Sequence, residues 1–271
     1  MMMLKTLISA RLQLSGLILA IAGISACSPP PQDLRIDFAA QFGASPANCD
    51  SAPTAMSDLR FYVSDAALVA ADGTRTPIGL GINGRWQQQD LALLDFEDGQ
   101  GACANGTPDT NTILLGQVPP GEYRGLEFTV GVPFTRNHAD PLAASAPLDD
   151  SSMHWHWRSG YKFLRVGVAT PDDGFWAHVG SSACHGRVQA ISGCDAPNRI
   201  AVSLPDFVPG DTVVVDLAAI VLISQEDDEA LANCSSGPAE TSCIAAFAAL
   251  GLDFGDHIAT ESQQLFRVAA R

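Results

Sequence analysis

Two histidines and two tryptophans alternate in one four-residue stretch, His154-Trp155-His156-Trp157. Imidazole is a good ligand for copper, zinc and nickel. On a β-strand successive side chains point to opposite faces, so His154 and His156 would share one face and Trp155 and Trp157 the other. The two imidazoles are therefore candidate ligands of one metal ion. The alternative is that the tryptophans pack in the core while the histidines face solvent.

Five of the six histidines fall between residues 138 and 185, beside three of the four tryptophans. His138 lies in a loop and His178 near a turn, whereas His185 is expected at the surface and His257 is assigned no role. This clustering predicts a metal site. Copper is the first choice, because Cu(II) outbinds the other first-row divalent ions at imidazole and oxygen ligands, and zinc is the second. Binding requires neutral imidazole, so affinity should fall at acid pH.

Catalytic motifs are not found in the chain. It contains no Gly-x-Ser-x-Gly elbow, phosphate loop or His-Glu-x-x-His, and no nucleophile with an evident base. We therefore expect a protein that is not an enzyme. The one catalytic alternative is a zinc or copper hydrolase, for which Asp140 is the only candidate acid.

The N-terminus has the pattern of an export signal. Lys5 and Arg11 precede an apolar run, residues 12–24, which ends in Ile-Ser-Ala before Cys27. This ending resembles the lipobox of bacterial lipoproteins, which implies a signal peptide at 1–26, a lipidated Cys27 and a tether at 27–33. The residue after Cys27 is Ser28 and not an Asp. By the usual sorting pattern of lipoproteins this favours the outer membrane, and the protein is expected to face the periplasm. The alternative is an ordinary secretory signal with an incidental cysteine.

Six cysteines follow Cys27, and an exported protein is expected to pair them as disulfides. Six cysteines allow fifteen pairings. Local spacing favours Cys184–Cys194 and Cys234–Cys243, which leaves Cys49–Cys103. A thiolate metal site is less favoured, because no Cys-x-x-Cys pair is present.

The chain is strongly acidic. Removing residues 1–26 takes away Lys5 and Arg11 and no acid, so the formal net charge of −15 becomes −17. Phosphate backbones would repel such a chain, and nucleic acid is excluded as a partner. The charge could attract cations or a basic protein surface, or it could serve only solubility.

Short apolar runs separated by Gly, Pro, Asn and Asp predict an all-β fold, a β-sandwich with long loops, three disulfides and one short C-terminal helix at 243–250. The folded domain is expected to span 34–271. The segment 134–153 lacks strand character and is expected to be a loop that is either functional or disordered. The predicted strands are 34–38, 59–69, 91–96, 112–118, 123–132, 155–168, 175–179, 200–204 and 212–222.

Several motifs occur in an order that resembles the MbnP-like family, also described as the metallo-mystery-pair four-Cys proteins. The resemblance covers roughly residues 33–271. The motifs are Gly131-Val132-Pro133-Phe134, Asn137-His138-Ala139-Asp140-Pro141, Pro147-Leu148, Trp155-x-Trp157, Ser159-Gly160-Tyr161-Lys162-Phe163, His178-Val179-Gly180-Ser181, Pro197-Asn198-Arg199 and the four cysteines from Cys184 to Cys243.

The resemblance implies a copper-binding envelope protein encoded beside a di-haem cytochrome c peroxidase-like partner of the MauG type. In that family the partner oxidises a tryptophan to kynurenine, which contributes to the metal site. The matching residues here are Trp155 or Trp157 as the modified residue and His138 and His178 as ligands, with His156 and then His154 ranked after them. The competing hypothesis is a metal-free β-sandwich interaction module on the outer membrane.

Overall fold

The computed structural model describes residues 29–50, 54–88, 90–169, 174–221 and 233–271. The predicted signal peptide and Cys27 lie outside these residues. Within the described part of the chain, no helix is long and apolar enough to cross a membrane. The first strand begins at Gln32, at the end of the predicted tether.

The predicted all-β fold is confirmed, because most described elements are strands and the helices are short. The strands are β1 (Gln32–Phe42), β2 (Ser45–Pro46), β3 (Ala55–Ala70), β4 (Arg75–Pro77), β5 (Gly79–Leu80), β6 (Gln87–Gln88), β7 (Leu91–Asp95), β8 (Ile113–Val118), β9 (Tyr123–Val130), β10 (His154–His156), β11 (Gly160–Ala169), β12 (Gly174–Gly180), β13 (Ser182–Arg187), β14 (Ala190–Ala196), β15 (Ile200–Leu204), β16 (Thr212–Asp216) and β17 (Phe266–Val268).

The strands form two large sheets and one separate hairpin. The first sheet has the order β17-β16-β1-β8-β5, with β2 beside β1. The second has the order β10-β11-β3-β7-β6, to which β12 is added beside β11, β4 and β9 beside β3, and β15 beside β9. The hairpin of β13 and β14 pairs with neither sheet and carries the Cys184–Cys194 disulfide.

The main core lies between the two sheets. Ile36 and Phe38 from the first sheet are buried with Phe61 and Val166 from the second. The Phe38 and Phe61 rings meet edge to face, with centroids 5.9 Å apart. Each such side chain contributes about 1.5–3 kcal/mol through burial, so the inward residues of the strands account for the sandwich.

A smaller core lies on the outer face of the second sheet. Tyr62, Leu93 and Tyr161 are buried there with Leu148 and Met153 from the segment predicted to be a loop. The Tyr161 hydroxyl donates to the Leu148 carbonyl at 2.8 Å. Residues 134–153 therefore cover this face of the sheet, just ahead of the His-Trp stretch.

The helices and two of the strands differ in part from expectation. The C-terminal helix is confirmed as α3 (Cys243–Ala249), but single-turn helices also occur, α1 (Phe134–Asn137) and α2 (Ala218–Val221). The predicted strand 212–222 ends at Asp216 and passes into α2. The predicted strand 155–168 is broken by a turn after His156, because Gly160, with φ +79°, begins a new strand.

The two disulfides favoured by spacing, Cys184–Cys194 and Cys234–Cys243, are present, and so is the remaining pair, Cys49–Cys103.

Candidate metal centre

His178 lies on β12, with its side chain on the outer face of the second sheet. Phe175, Ala177 and Val179 alternate with it and are buried in the main core. Because side chains alternate along a strand, Trp176 and His178 both point the other way, and both are half-buried. The alternation along β12 therefore places the His178 side chain on the partly solvent-accessible face of the sheet.

Two indole rings flank the His178 imidazole. The centroids of the Trp176 and His178 rings are 4.6 Å apart, and the two ring planes are inclined by 32°. The Trp155 ring lies 6.4 Å from it and is nearly perpendicular. Gly180 makes this approach feasible, because a Cβ at that position would lie 3.2 Å from Cε3 of Trp155.

The Cys234–Cys243 disulfide fixes the free edge of β12. Cys234 accepts a hydrogen bond from the His178 amide at 2.8 Å and donates its own amide to the Trp176 carbonyl at 3.0 Å. The Ser236 hydroxyl donates to the His178 carbonyl at 2.8 Å. The disulfide connects this edge to α3, so the backbone that carries His178 is held on both sides.

A buried ionic network lies beside His178. Oδ2 of Asp58 accepts a hydrogen bond from Arg165 Nε at 2.8 Å and forms an ion pair with Arg165 Nη2 at 2.5 Å, and His178 Nε2 lies 3.4 Å from the same oxygen. Arg60 contacts Asp95 and Glu97, each at 3.1 Å. The other carboxylate oxygens of Asp58 and Glu97, Oδ1 and Oε2, are buried and have no N–H donor.

The two carboxyl groups of this network titrate in opposite directions. Burial, together with the hydrogen bond to Asp58 and its charge, raises the pKa of Glu97 to about 9. Burial alone would also raise the pKa of Asp58, but hydrogen bonds with His178 and Glu97 and the charge of Arg165 lower it to about 2. Glu97 is therefore a neutral acid at neutral pH that shares its proton with ionised Asp58.

His138 follows α1 and packs against a disulfide. Its Nε2 atom lies 3.5 Å from Sγ of Cys194 and 3.1 Å from the amide nitrogen of Asn137. Its ring stacks obliquely on Phe134, with centroids 4.8 Å apart. The Asn137 side-chain nitrogen can only donate to Nε2, so Nδ1 of the neutral ring carries the proton, and it is buried without a hydrogen-bond partner, a costly arrangement that a bound water would relieve.

Asn137 ties His138 to the strands around it. Its side-chain oxygen accepts from the Tyr161 amide at 2.8 Å, and its amide donates to the Ser159 carbonyl at 3.0 Å. The same amide lies 3.5 Å from the hydroxyl of Ser181, three residues beyond His178 in the chain. Only glycine fits at 160, because a Cβ there would lie 2.3 Å from the Asn137 carbonyl oxygen.

The other predicted site residues lie at different places around the turn between β10 and β11. His154 packs edge to face on Tyr161 at 5.2 Å, and a strand irregularity separates it from His156, which is exposed. Trp157 is not in the strand but in the turn. There its ring contacts His156 at 5.4 Å, and the Arg158 guanidinium lies 5.0 Å from its centroid. Of the two predicted tryptophans, only Trp155 contacts His178.

The described residues contain three groups in which three or more His, Cys, Asp or Glu ligand atoms lie within 4.8 Å of one another. One joins His138 with the Cys184–Cys194 disulfide, and none includes His178, His154 or His156. The structure therefore does not bring the four predicted histidines into one tight cluster. Asn137 and Ser181 connect the surroundings of His138 with those of His178.

The protonation states of the histidines nevertheless favour metal binding. Burial lowers the pKa of His138, and burial followed by the charges of His156 and Lys162 lowers that of His154. Both rings are thus neutral near neutral pH, the form that binds metal. The six cysteines in the described part of the chain are paired as disulfides, which leaves nitrogen and oxygen atoms as the favoured ligands there.

Three contacting residues were missed by the sequence reasoning: Trp176, Asp58 and Asn137. The alternation Trp176-x-His178 on one strand was a signal for the first. Asp58 is 120 positions from His178, so no local pattern could indicate it.

Asp140, the candidate acid of a hydrolase, caps a helical turn by accepting from the Leu142 amide at 3.0 Å. His185 is exposed, as expected, and pairs with Asp195 at 2.8 Å, and His257 is exposed in a C-terminal loop.

The fold and site define a class: disulfide-linked β-sandwich proteins with imidazoles set beside indoles. A family model described as MbnP matches residues 31–236, and the chain belongs to the MbnP family. It is similar to the solved structure of MbnP from Methylosinus trichosporium, with 29% sequence identity, a TM-score of 0.75, and coverage of 89% of this chain and 100% of that chain. No curated protein matches the chain significantly. The resemblance drawn from the motifs is thereby confirmed.

Proposed function

We propose that this protein is a copper-binding lipoprotein of the bacterial envelope, and that a di-haem partner of the MauG type oxidises a tryptophan at its metal site. The observation that carries the proposal is the His178 imidazole between the Trp155 and Trp176 indoles. This arrangement sets a metal ligand beside an oxidisable side chain. Membership of the MbnP family supports the same function.

His138 and His178 are the proposed ligands, with His156 and His154 as secondary candidates. His138 has a half-buried imidazole whose pKa is lowered by burial, and His178 is half-buried on a strand whose backbone is fixed on both sides. Copper is the proposed ion and zinc the alternative, because nitrogen ligands favour copper among the first-row divalent ions.

Trp155 is the favoured site of modification, and Trp157 is the second. Trp155 contacts His178, whereas Trp157 lies in the turn with His156 and Arg158. Conversion to kynurenine inserts two oxygen atoms across the indole double bond and then releases formate by hydrolysis. This four-electron oxidation would consume two molecules of peroxide at the partner's haems and form two molecules of water. The product has an aryl amine and a ketone, both able to bind a metal, so the chain itself acts as a substrate and not as an enzyme.

The lipid anchor on Cys27, the outer-membrane location and the periplasmic orientation belong to the same proposal. Their support is the export pattern that ends at Cys27. The mature charge of −17 suits a basic face on the partner.

Purification from the native host tests the whole proposal. The protein should carry copper, a Trp155 peptide should have the mass of kynurenine, and the N-terminal peptide should carry lipid on Cys27. Deleting the di-haem partner's gene should restore the unmodified indole. Peptide mapping should also cover Trp157 and Trp176, since modification there would change the assignment of the indole.

Substitution of the proposed ligands tests the site. His138→Ala and His178→Ala should each weaken copper binding at least tenfold in a chelator competition, while exposed His257→Ala should have no effect. If both ligand variants bind copper as tightly as the unsubstituted protein, the site is wrong. If the unsubstituted protein binds neither copper nor zinc, a metal-free interaction module is the remaining function.

A further inference from the structure

Asp58, Arg165 and His178 meet on the outer face of the second sheet, on three neighbouring strands. Arg165 pairs with His178 across β11 and β12, and Gly167 pairs with Asp58 across β11 and β3. Asp58 leans over Gly167, since a Cβ at 167 would lie 2.9 Å from Asp58 Cβ. The missing side chain on the middle strand leaves the room in which the Asp58 carboxylate reaches His178.

The charges on these residues determine which atom holds a proton. Arginine does not deprotonate in proteins, and Arg165 holds Oδ2 of Asp58 through a hydrogen bond from Nε and an ion pair with Nη2, which keeps this carboxylate anionic. The same oxygen lies 3.4 Å from Nε2 of His178. An anionic oxygen can only accept there, so the proton of the neutral imidazole belongs on Nε2 and the lone pair is left on Nδ1.

The carboxylate itself is held from both sides. Asp58 is 7% exposed and Arg165 is 8% exposed, so water does not compete for their pairing. On the other side, Gly167 leaves room for the Asp58 side chain, because a Cβ at 167 would lie 2.9 Å from Asp58 Cβ. A carboxylate fixed in this way can set the orientation of the ring beside it.

We infer that Asp58 is a positioning residue for the metal site, which holds His178 through Nε2 so that Nδ1 is the atom offered to the metal. The inference rests on the proposed function in one respect only, the identity of His178 as a ligand. Metal-binding histidines commonly donate their second N–H to a carboxylate, and loss of that partner costs roughly ten- to hundredfold in affinity.

The tautomer of His178 in the unsubstituted, metal-free protein is the first test. Nitrogen-15 NMR at a pH where the ring is neutral should show the proton on Nε2. A proton on Nδ1 would overturn the inference. This measurement needs no variant and no bound metal, so it remains decisive even if Asp58 variants do not fold or if the protein binds no copper.

Copper titration of Asp58→Asn is the second test. The substitution removes the charge and replaces one acceptor oxygen with a donor. We expect the dissociation constant for copper, measured against a competing chelator, to rise roughly ten- to hundredfold, and the tautomer preference of His178 to weaken. A folded Asp58→Asn that binds copper with unchanged affinity would refute the positioning function while leaving the proposed copper site intact.

Asp37→Asn is the matched control. Asp37 pairs with Arg35 on β1 in the first sheet, so this variant also breaks an arginine–aspartate pair. Its copper affinity and its His178 tautomer should equal those of the unsubstituted protein. If Asp37→Asn weakened copper binding as much as Asp58→Asn does, the loss would not be specific to the partner of His178, and the inference would fail.

Discussion

At the scale of single residues, the candidate site depends on a few polar groups that are buried together. Glu97 hydrogen-bonds to Asp58, which contacts His178, and Arg60 and Arg165 balance the remaining negative charge. Buried charges are stable only when they are paired and hydrogen-bonded, so each member of the network constrains the others. The neutral state of Glu97 makes its contribution measurable through pH.

Glu97→Gln should change the pH dependence of stability. Because folding raises the pKa of Glu97 from 4.5 to about 9, the folded protein keeps a proton that the unfolded chain releases. This contribution is complete below pH 4.5 and is lost as the pH rises toward 9. Glutamine does not titrate, so the free energy of unfolding of Glu97→Gln should exceed that of the unsubstituted protein by an amount that grows between about pH 5 and about pH 8, by at most about 1.4 kcal/mol per pH unit.

Urea unfolding across this range gives the comparison. Exposed Glu127, which pairs with Arg75, provides the control, since Glu127→Gln leaves the buried acid in place. A constant difference between Glu97→Gln and the unsubstituted protein at all pH values would mean that Glu97 is ionised in the folded state.

At the scale of elements, the turn between β10 and β11 places both parts of the site. Gly160 adopts φ +79° beside the Asn137 carbonyl, and Asn137 in turn contacts His138. Trp155 lies on the strand just before the turn and reaches β12 over Gly180. The hairpin of β10 and β11 therefore positions the His138 imidazole, through Asn137, and carries the Trp155 indole.

Gly160→Ala should destabilise this hairpin strongly. The new Cβ would lie 2.3 Å from the Asn137 carbonyl oxygen, and the backbone conformation disfavours any side chain. We expect a loss of roughly 1–3 kcal/mol in denaturant unfolding, together with weaker copper binding through His138. Gly193→Ala on β14 has open space around its Cβ and should be nearly neutral. Equal stabilities for the two variants would contradict this account of the turn.

At the scale of the whole molecule, three disulfides close loops of different length. Cys49 and Cys103 are 54 positions apart and join the region before β3 to the segment after β7, whereas Cys184 and Cys194 are ten apart within one hairpin. A longer closed loop restricts the unfolded chain more. The long-range bond should therefore matter more for global stability than the hairpin bond.

Removing these bonds one at a time tests the ranking. The double substitution of Cys49 and Cys103 by Ala should cost roughly 4 kcal/mol, and that of Cys184 and Cys194 roughly 3 kcal/mol. The second variant should in addition lower copper affinity, because Cys194 contacts His138. Thermal and denaturant unfolding measure the first effect, and chelator competition measures the second. A larger stability loss for the hairpin bond would oppose the loop-length argument.

The sequence by itself determined the features that depend on local order. Alternation of apolar residues predicted the strands 200–204 and 175–179, the alanine-rich run predicted α3, and short spacing predicted two of the three disulfides. The ordered motifs indicated the MbnP family, because each motif consists of residues that are close together in the sequence. Patterns of this kind survive in the linear sequence, since strand alternation and short loops involve neighbours only.

Only the tertiary structure decided what surrounds each histidine. The partnership of Asp58 with His178 spans 120 positions, and the contact of His138 with Cys194 spans 56. The turn at residues 157–159 placed Trp155 at His178 and Trp157 away from it, although the sequence pattern did not distinguish the two indoles. Such contacts arise when sheets twist and loops close over them, and pairings between distant strands have no signature in residue spacing.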